Sequence, residues 1–109
     1  MATVYKILGQ SAPSANTHTF VYSVPSGNSA VISTITIANR GTGNAKYKLA
    51  VQKANATISS NHYIAFDTTV FGNDTTALTL GLTLGATDVI SANISTADVS
   101  VCIFGSEIY

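Results

Sequence analysis

Charge is the scarcest property of this sequence. Charged residues make up 9% of its 109 positions, where about 25% is usual in soluble domains. Five basic residues balance five acidic ones, so bulk charge would attract neither nucleic acid nor an anionic membrane. A single cysteine excludes an internal disulfide framework. The absence of tryptophan weakens the case for a platform on which sugars or bases stack.

Two further absences concern the thiol and the membrane. Cys102 lies between Val101 and Ile103, which predicts an inert thiol in the core, because free cysteine is among the most buried residue types. The sequence shows no basic segment followed by about 7 to 15 apolar residues, and no run of about 18 apolar residues. We therefore expect no signal peptide, no membrane span, and a protein that is made and kept soluble in the cytoplasm.

Alternation of apolar and polar residues is what the sequence has in abundance. It predicts eight strands at approximately residues 2–8, 18–24, 29–38, 45–53, 61–70, 74–84, 88–94 and 98–107. Between them lie turn clusters, of which "ANRGTGN" at 38–44 predicts the tip of a hairpin. The pattern predicts one all-β domain over residues 1–109, an antiparallel β-sandwich of jelly-roll type with about eight strands.

Two of the predicted strands have one apolar face and one hydroxyl-rich face. In "AVISTITIA" the two faces are Val31, Ser33, Ile35, Ile37 and Ile32, Thr34, Thr36, Ala38. In "LTLGLTLG" they are Leu78, Leu80, Leu82, Leu84 and Thr79, Gly81, Thr83, Gly85. Since glycine weakens a strand, Gly81 indicates either a break in the strand or a close approach of another group, and the sequence leaves both alternatives open.

The hydroxyl-rich faces are suited to contact with another sheet or subunit. A lysine or glutamate at such a position would lose its hydration on burial, whereas threonine and glycine lose little. We therefore predict an interface that includes Thr34, Thr36, Thr79, Gly81 and Thr83. The alternative is an ordinary solvated sheet face, because threonine is also common on exposed strands.

The order of the charges adds three residues to this predicted interface. The cations all precede residue 54 and the anions all follow residue 66. One explanation is that early and late strands pair within the molecule, so that the charges meet across a sheet. The other is a head-to-tail contact between subunits, to which Arg40, Lys46 and Lys48 would contribute.

The sequence shows no pattern that predicts catalysis or a cofactor. His18 and His62 have no second ligand at a recognisable metal-binding spacing. The aspartates occupy turn positions and match no calcium-loop pattern, and no G-x-S-x-G elbow is present. We predict a protein that is not an enzyme and that binds no metal.

Five stretches of the sequence resemble a family of small virion structural proteins of tailed bacteriophages, including phages that infect cyanobacteria. These stretches are "VYKILGQSAPSA", "YSVPSGNSAVISTITIANRG", "HYIAFDT", "LGLTLGATDVI" and "FGSEI". The resemblance covers most of the chain, and none of these stretches is a mechanistic motif. The resemblance implies a non-enzymatic β protein of the virion.

Two locations on the virion are compatible with this resemblance. A head decoration, or cement, protein would sit on the major capsid protein as a homo-oligomer, with a trimer as the expected state. A tail, fibre or spike module would connect virion parts or bind host surface glycans. We favour decoration, because the chain is compact and has no coiled-coil extension.

Overall fold

The computed structural model describes residues 2–79 and 81–109. The strands in these residues are β1 Thr3–Ser11, β2 Thr19–Ser23, β3 Ser29–Asn39, β4 Ala45–Gln52, β5 Tyr63–Val70, β6 Thr75–Leu78, β7 Leu82–Leu84, β8 Val89–Ile94 and β9 Val99–Ile108. Two single 3-10 turns, Lys53–Asn55 and Ser60–His62, lie between β4 and β5. The described part of the chain contains no α-helix, and thus no helix that could cross a membrane.

The strands form two antiparallel sheets that pack against each other. The five-stranded sheet has the order β1-β9-β3, and both β6 and β7 pair with the remaining side of β3. The four-stranded sheet has the order β2-β8-β4-β5. The prediction of an all-β antiparallel sandwich is confirmed.

The core lies between the sheets and is built mainly from branched aliphatic side chains. Ile35 and Ile103 of the five-stranded sheet are fully buried, and so are Leu49 and Ile90 of the four-stranded sheet. All four belong to one cluster of buried residues. Because successive side chains of a strand point to opposite faces, one face of each sheet makes this core and the other is outside.

The predicted hairpin at 38–44 is wrong, because this segment crosses from β3 in one sheet to β4 in the other. Asn39 holds the crossing in place. Its Nδ2 donates to the carbonyl oxygens of Gly43 at 2.8 Å and Val70 at 3.2 Å. Its Oδ1 accepts from the Gly41 N–H at 3.0 Å. Turn-forming residues alone do not say whether the chain returns to the same sheet.

A β-bulge in β3 changes which side chains face the core. Ile32 pairs with Gly105 of β9, and Thr34 pairs with the preceding residue Phe104. Ser33 is therefore an extra residue in β3, and its hydroxyl donates to the Phe104 carbonyl oxygen at 3.1 Å. An extra residue shifts the alternation of a strand by one position.

The predicted faces of β3 are wrong on the N-terminal side of this bulge. Ile32 is buried together with Ile35 and Ile37, whereas Val31 lies on the outside of the sheet. The prediction assumed unbroken alternation from Val31 to Ala38. The bulge interrupts that alternation, so the strand segments before and after it both bring isoleucine to the core.

The predicted strand at 74–84 is divided into β6 and β7, which pair with different parts of β3. Gly81 between them has a φ of 63°, and a Cβ at this position would meet nothing within 4 Å. Of the two alternatives for Gly81, the structure shows the break. Leu78, Leu82 and Leu84 pair with core-facing residues of β3, as predicted, and Leu80 lies outside the described residues.

The bulge generates a test at Gly105. A Cβ at Gly105 would collide with the carbonyl oxygen of Val31, so Gly105→Ala must move backbone, and we expect it to destabilise the fold by about 1–3 kcal/mol. Urea unfolding measures this loss. Gly43→Ala is the matched control, since a Cβ there would meet nothing within 4 Å, and it should change stability by less than about 0.5 kcal/mol. Equal stability of the two variants would contradict the proposed role of the bulge.

Candidate functional site

The outer face of the five-stranded sheet carries no charged side chain at its described, outward-facing strand positions. Pairing with outward neighbours defines these positions, except for Ser33, which is the exposed extra residue of the bulge. They are Thr3, Tyr5, Ile7, Gln10, Ser29, Val31, Ser33, Thr34, Thr36, Ala38, Thr75, Ala77, Thr83, Ser100, Cys102, Phe104, Ser106 and Ile108. We call this set of residues the neutral face.

An apolar patch occupies part of the neutral face, and it consists of Tyr5, Ile7, Val31 and Phe104. Tyr5 and Val31 both pair with Ser106, and Ile7 pairs with Phe104. Tyr5 is 84% exposed and Ile7 is 54% exposed. Together with Lys6 and the small residues around them, the four residues line an open groove of about 560 Å³. Contiguous exposed apolar side chains of this kind mark interaction sites in soluble proteins.

Three of the predicted interface residues lie on the neutral face beside this patch. Thr34 pairs with Phe104, and Thr83 pairs with Val31. Thr36 lies one row further along, opposite Cys102. Thr79 and Gly81 are exposed in the connection between β6 and β7. The structure therefore brings the threonines of β3 and β7 onto one surface.

Arg40 lies at the rim of the neutral face, immediately after β3. Its Nε donates to Ser100 Oγ at 2.9 Å, and its Nη2 donates to the Ala97 carbonyl oxygen at 3.0 Å. The guanidinium is thus held by neutral groups of its own chain. A partner that approaches this rim would meet a positive charge.

Lys46 and Lys48 lie on β4 in the other sheet, so the structure does not bring them together with the threonines. Lys48 Nζ is 2.6 Å from Asp67 Oδ1 and 4.9 Å from the centroid of the Phe66 ring. Phe66 and Asp67 both lie opposite Lys48 in a bulge of β5, where Asp67 has a φ of 52°. An early cation meets a late anion here, within the molecule.

A second ion pair, also between an early and a late residue, is partly buried at the edge of the sandwich. Lys6 Nζ lies 2.6 Å from Glu107 Oε1, and Tyr22 donates its hydroxyl to Glu107 Oε2 at 2.6 Å. Lys6 and Glu107 belong to the five-stranded sheet and Tyr22 to the other. Together with Lys48 and Asp67, this pair supports the explanation that the charge order reflects pairing within the molecule.

The contacts among Glu107, Lys6 and Tyr22 shift the pKa values of all three side chains. Hydrogen bonds from Lys6 and Tyr22 lower the pKa of the Glu107 carboxyl below 4.5, and burial opposes this only in part. The same hydrogen bond raises the pKa of Lys6. Burial, followed by the bond to Glu107, raises the pKa of the Tyr22 hydroxyl. The cluster therefore holds a carboxylate, an ammonium and a neutral phenol, and it connects β1 and β9 of the five-stranded sheet with β2 of the other sheet.

The aromatic and aliphatic residues of the apolar patch were not predicted from the sequence. Tyr5 and Ile7 are on β1 whereas Phe104 is on β9, so they meet only through strand pairing.

The prediction of a core thiol is wrong, because Cys102 points away from the core and is half-buried on the neutral face. Gln10 Nε2 donates to its Sγ at 3.7 Å. Strand alternation could have predicted this orientation, because Val101 and Ile103 on either side of Cys102 are buried and successive side chains point to opposite faces.

The histidines take part in local hydrogen bonds. His18 Nε2 lies 3.2 Å from Gln52 Oε1, which also accepts from Ser91 Oγ at 2.7 Å. His62 Nδ1 accepts from the Ser59 N–H at 3.0 Å. Residues 2–79 and 81–109 contain no group of three or more His, Cys, Asp or Glu side chains that could hold a metal ion.

Comparison of the chain with protein-family models and with curated proteins found no match.

The Glu107 cluster predicts a specific dependence of stability on pH. A carboxyl whose pKa is lowered by folding contributes fully to stability at pH values above the ordinary carboxyl pKa of 4.5. That contribution is lost as the pH falls through the lowered pKa. Glu107→Gln should therefore be less stable than wild type at neutral pH, and the difference should shrink below pH 4.5. Unfolding midpoints measured across this range test the expectation.

Asp67→Asn is the matched control for this experiment. It also removes one carboxylate from an ion pair, but Asp67 is half-exposed, and exposed pairs contribute at most about 1 kcal/mol. Asparagine also tolerates the positive φ at this position. A Glu107→Gln variant whose acid response equals that of wild type would contradict the assigned role of Glu107.

Proposed function

We propose that the protein is a non-enzymatic structural component of a tailed-bacteriophage virion, and specifically a capsid decoration protein whose copies associate on the particle surface. The five stretches that resemble small virion proteins support the class. The neutral face is the single structural observation that carries the assignment. Its apolar patch is exposed in the isolated chain, and its surroundings are hydroxyls that lose little on burial.

The order of the strands supports a finer description of the fold, which we propose is a jelly roll. Successive strands alternate between the sheets except where β4 is followed by β5 and β6 by β7. Strands from the beginning and the end of the chain are neighbours in each sheet, as in β1-β9 and β2-β8. Two interleaved Greek keys produce this arrangement, which occurs in many capsid domains.

In this proposal the partners are other copies of the chain and the major capsid protein. Assembly takes place in the cytoplasm of the host bacterium, and the mature location is the virion. Neither nucleic acid nor a membrane takes part. The neutral face would supply the contact, because a charge-poor surface associates without the repulsion that like charges cause.

Particles of the virus that encodes the chain provide the direct test. We expect the protein to be present in purified virions, with immunogold label or density in a cryo-electron microscopy map on the head. Label on the tail or fibre would support the alternative location. Absence of the protein from purified particles would contradict both.

A substitution on the neutral face tests whether that face makes the contact. Thr83→Lys would bury an unpaired charge in an interface, at a loss of about 3–5 kcal/mol, and we expect loss of the oligomer and of incorporation into particles. Light scattering after size-exclusion chromatography measures the first and particle composition the second. Thr57→Lys makes the same change at an exposed loop position and should leave both unchanged. If Thr83→Lys also leaves both unchanged, the neutral face is solvated.

A specific observation on the four-stranded sheet favours the alternative, a tail or spike module that binds host glycans. Two aromatic pairs with edge-to-face rings lie at its two outer strands, one at the start of β2 and one in β5. The pairs are His18 with Phe20 and Tyr63 with Phe66. Lys48 and Asn93 pair with each other between them. Aromatic side chains flanking polar groups are typical of small-molecule sites.

Glycan binding by the isolated protein separates the two functions. If the alternative is correct, the protein should bind host surface glycans on an array, and Phe66→Ala should abolish binding. Phe71→Ala is the matched control, because Phe71 is as exposed as Phe66 and lies outside the sheet. For a decoration protein we expect no glycan binding by any of the three proteins.

A further inference from the structure

The arrangement of the neutral face restricts what can cover its apolar patch. Outward-facing strand positions offer a partner hydroxyls, amides and apolar groups. Two cations lie nearby: Lys6 lines the groove but its Nζ is paired with Glu107 Oε1 at 2.6 Å, and Arg40 lies at the rim. A partner with a charged surface would therefore lose hydration on contact and gain no ion pair in return. A surface that is itself neutral fits better.

A second copy of the chain brings such a surface. The four-stranded sheet carries Lys46, Lys48 and Asp67 at its outer face or edge, so it is the less suitable side. The neutral face of another copy presents the same apolar patch and the same threonine hydroxyls. Two such faces can meet without an unpaired charge at the centre of the contact, because the ammonium of Lys6, which also lines the groove, is paired with Glu107 of its own chain.

The size of the neutral face is sufficient for a specific contact. Strands β3 and β9 have 11 and 10 residues, so the face is about 33 Å long and, with four strand positions, about 19 Å wide. Contact over this face would cover about 600 Å² of each copy, which is where specific interfaces begin. Sheets that pack face to face in this way lie about 10 Å apart.

We infer that two copies of this chain pair through their neutral faces, with the apolar patches of Tyr5, Ile7, Val31 and Phe104 against each other at the centre. This inference rests on the proposed function for its setting and goes beyond it by specifying the symmetry of the contact, its centre and the number of copies. The contact is isologous, meaning that the same surface is used by both copies, and it closes at two. It therefore predicts a dimer in place of the trimer expected from the resemblance.

The test is the mass of the purified chain in solution, measured by light scattering over a range of protein concentrations. We expect a dimer for wild type. Val31→Lys should raise the dissociation constant at least about a hundredfold, because it buries an unpaired charge in the contact. Ile64→Lys is the matched control, since Val31 is 37% and Ile64 40% exposed, and Ile64 lies on the other sheet. It should dimerise as wild type does.

Cys102 supplies an independent readout, because it is the one cysteine of the sequence and lies on the neutral face. Its reaction with a thiol reagent should be slow in the dimer and severalfold faster in monomeric Val31→Lys. Should Val31→Lys fail to fold, Tyr5→Lys replaces it, because Tyr5 is almost fully exposed and its side chain contributes little to the core.

Three results would each overturn the pairing: a wild-type monomer at every concentration, a wild-type trimer, or folded Val31→Lys and Tyr5→Lys proteins that dimerise as wild type does. The first two leave the proposed function intact if the protein is found on virions. Conversely, a wild-type dimer that is absent from virions would contradict the proposed function and leave the pairing standing.

Discussion

The extra residue in β3 is the constraint on which the two faces of the five-stranded sheet depend. Ser33 shifts the alternation of the strand, so that Ile32 enters the core and Val31 leaves it. Glycine at position 105 makes the shift possible, because the Val31 carbonyl occupies the space that a Cβ would need. Core and neutral face are thus two results of one local irregularity.

The few charges of the chain are used mainly to hold the sandwich together. Lys6 and Glu107 connect neighbouring strands of one sheet, and Tyr22 attaches that carboxylate to the opposite sheet. Lys48 and Asp67 do the same for β4 and β5. Both ion pairs lie away from the outward-facing positions of the neutral face, which carry hydroxyls, amides and apolar groups.

Strand alternation was sufficient to predict the fold class and most strand positions from the sequence. It failed where one residue interrupted a strand, as Ser33 and Gly81 do. It also did not show that the segment 38–44 crosses to the other sheet. Such irregularities have no reliable local pattern. The threonines of the neutral face were also predictable, since they alternate with core residues within one strand. The apolar patch was not, because it joins residues about a hundred positions apart, and only pairing of β1 with β9 brings them together.

The break at Gly81 has a consequence for growth beyond a closed assembly. A neutral chain rich in valine, isoleucine and threonine has the composition from which amyloid fibres form when a long, flat edge strand accepts a further strand. Here β6 and β7 divide one edge, and the positive φ of Asp67 distorts the edge at β5. At β1, Lys6 reaches back to Glu107 instead of lying along a flat edge. These irregular edges hinder the addition of a further strand from another molecule. The protein can therefore associate through the face of a sheet without forming a fibre through its edges.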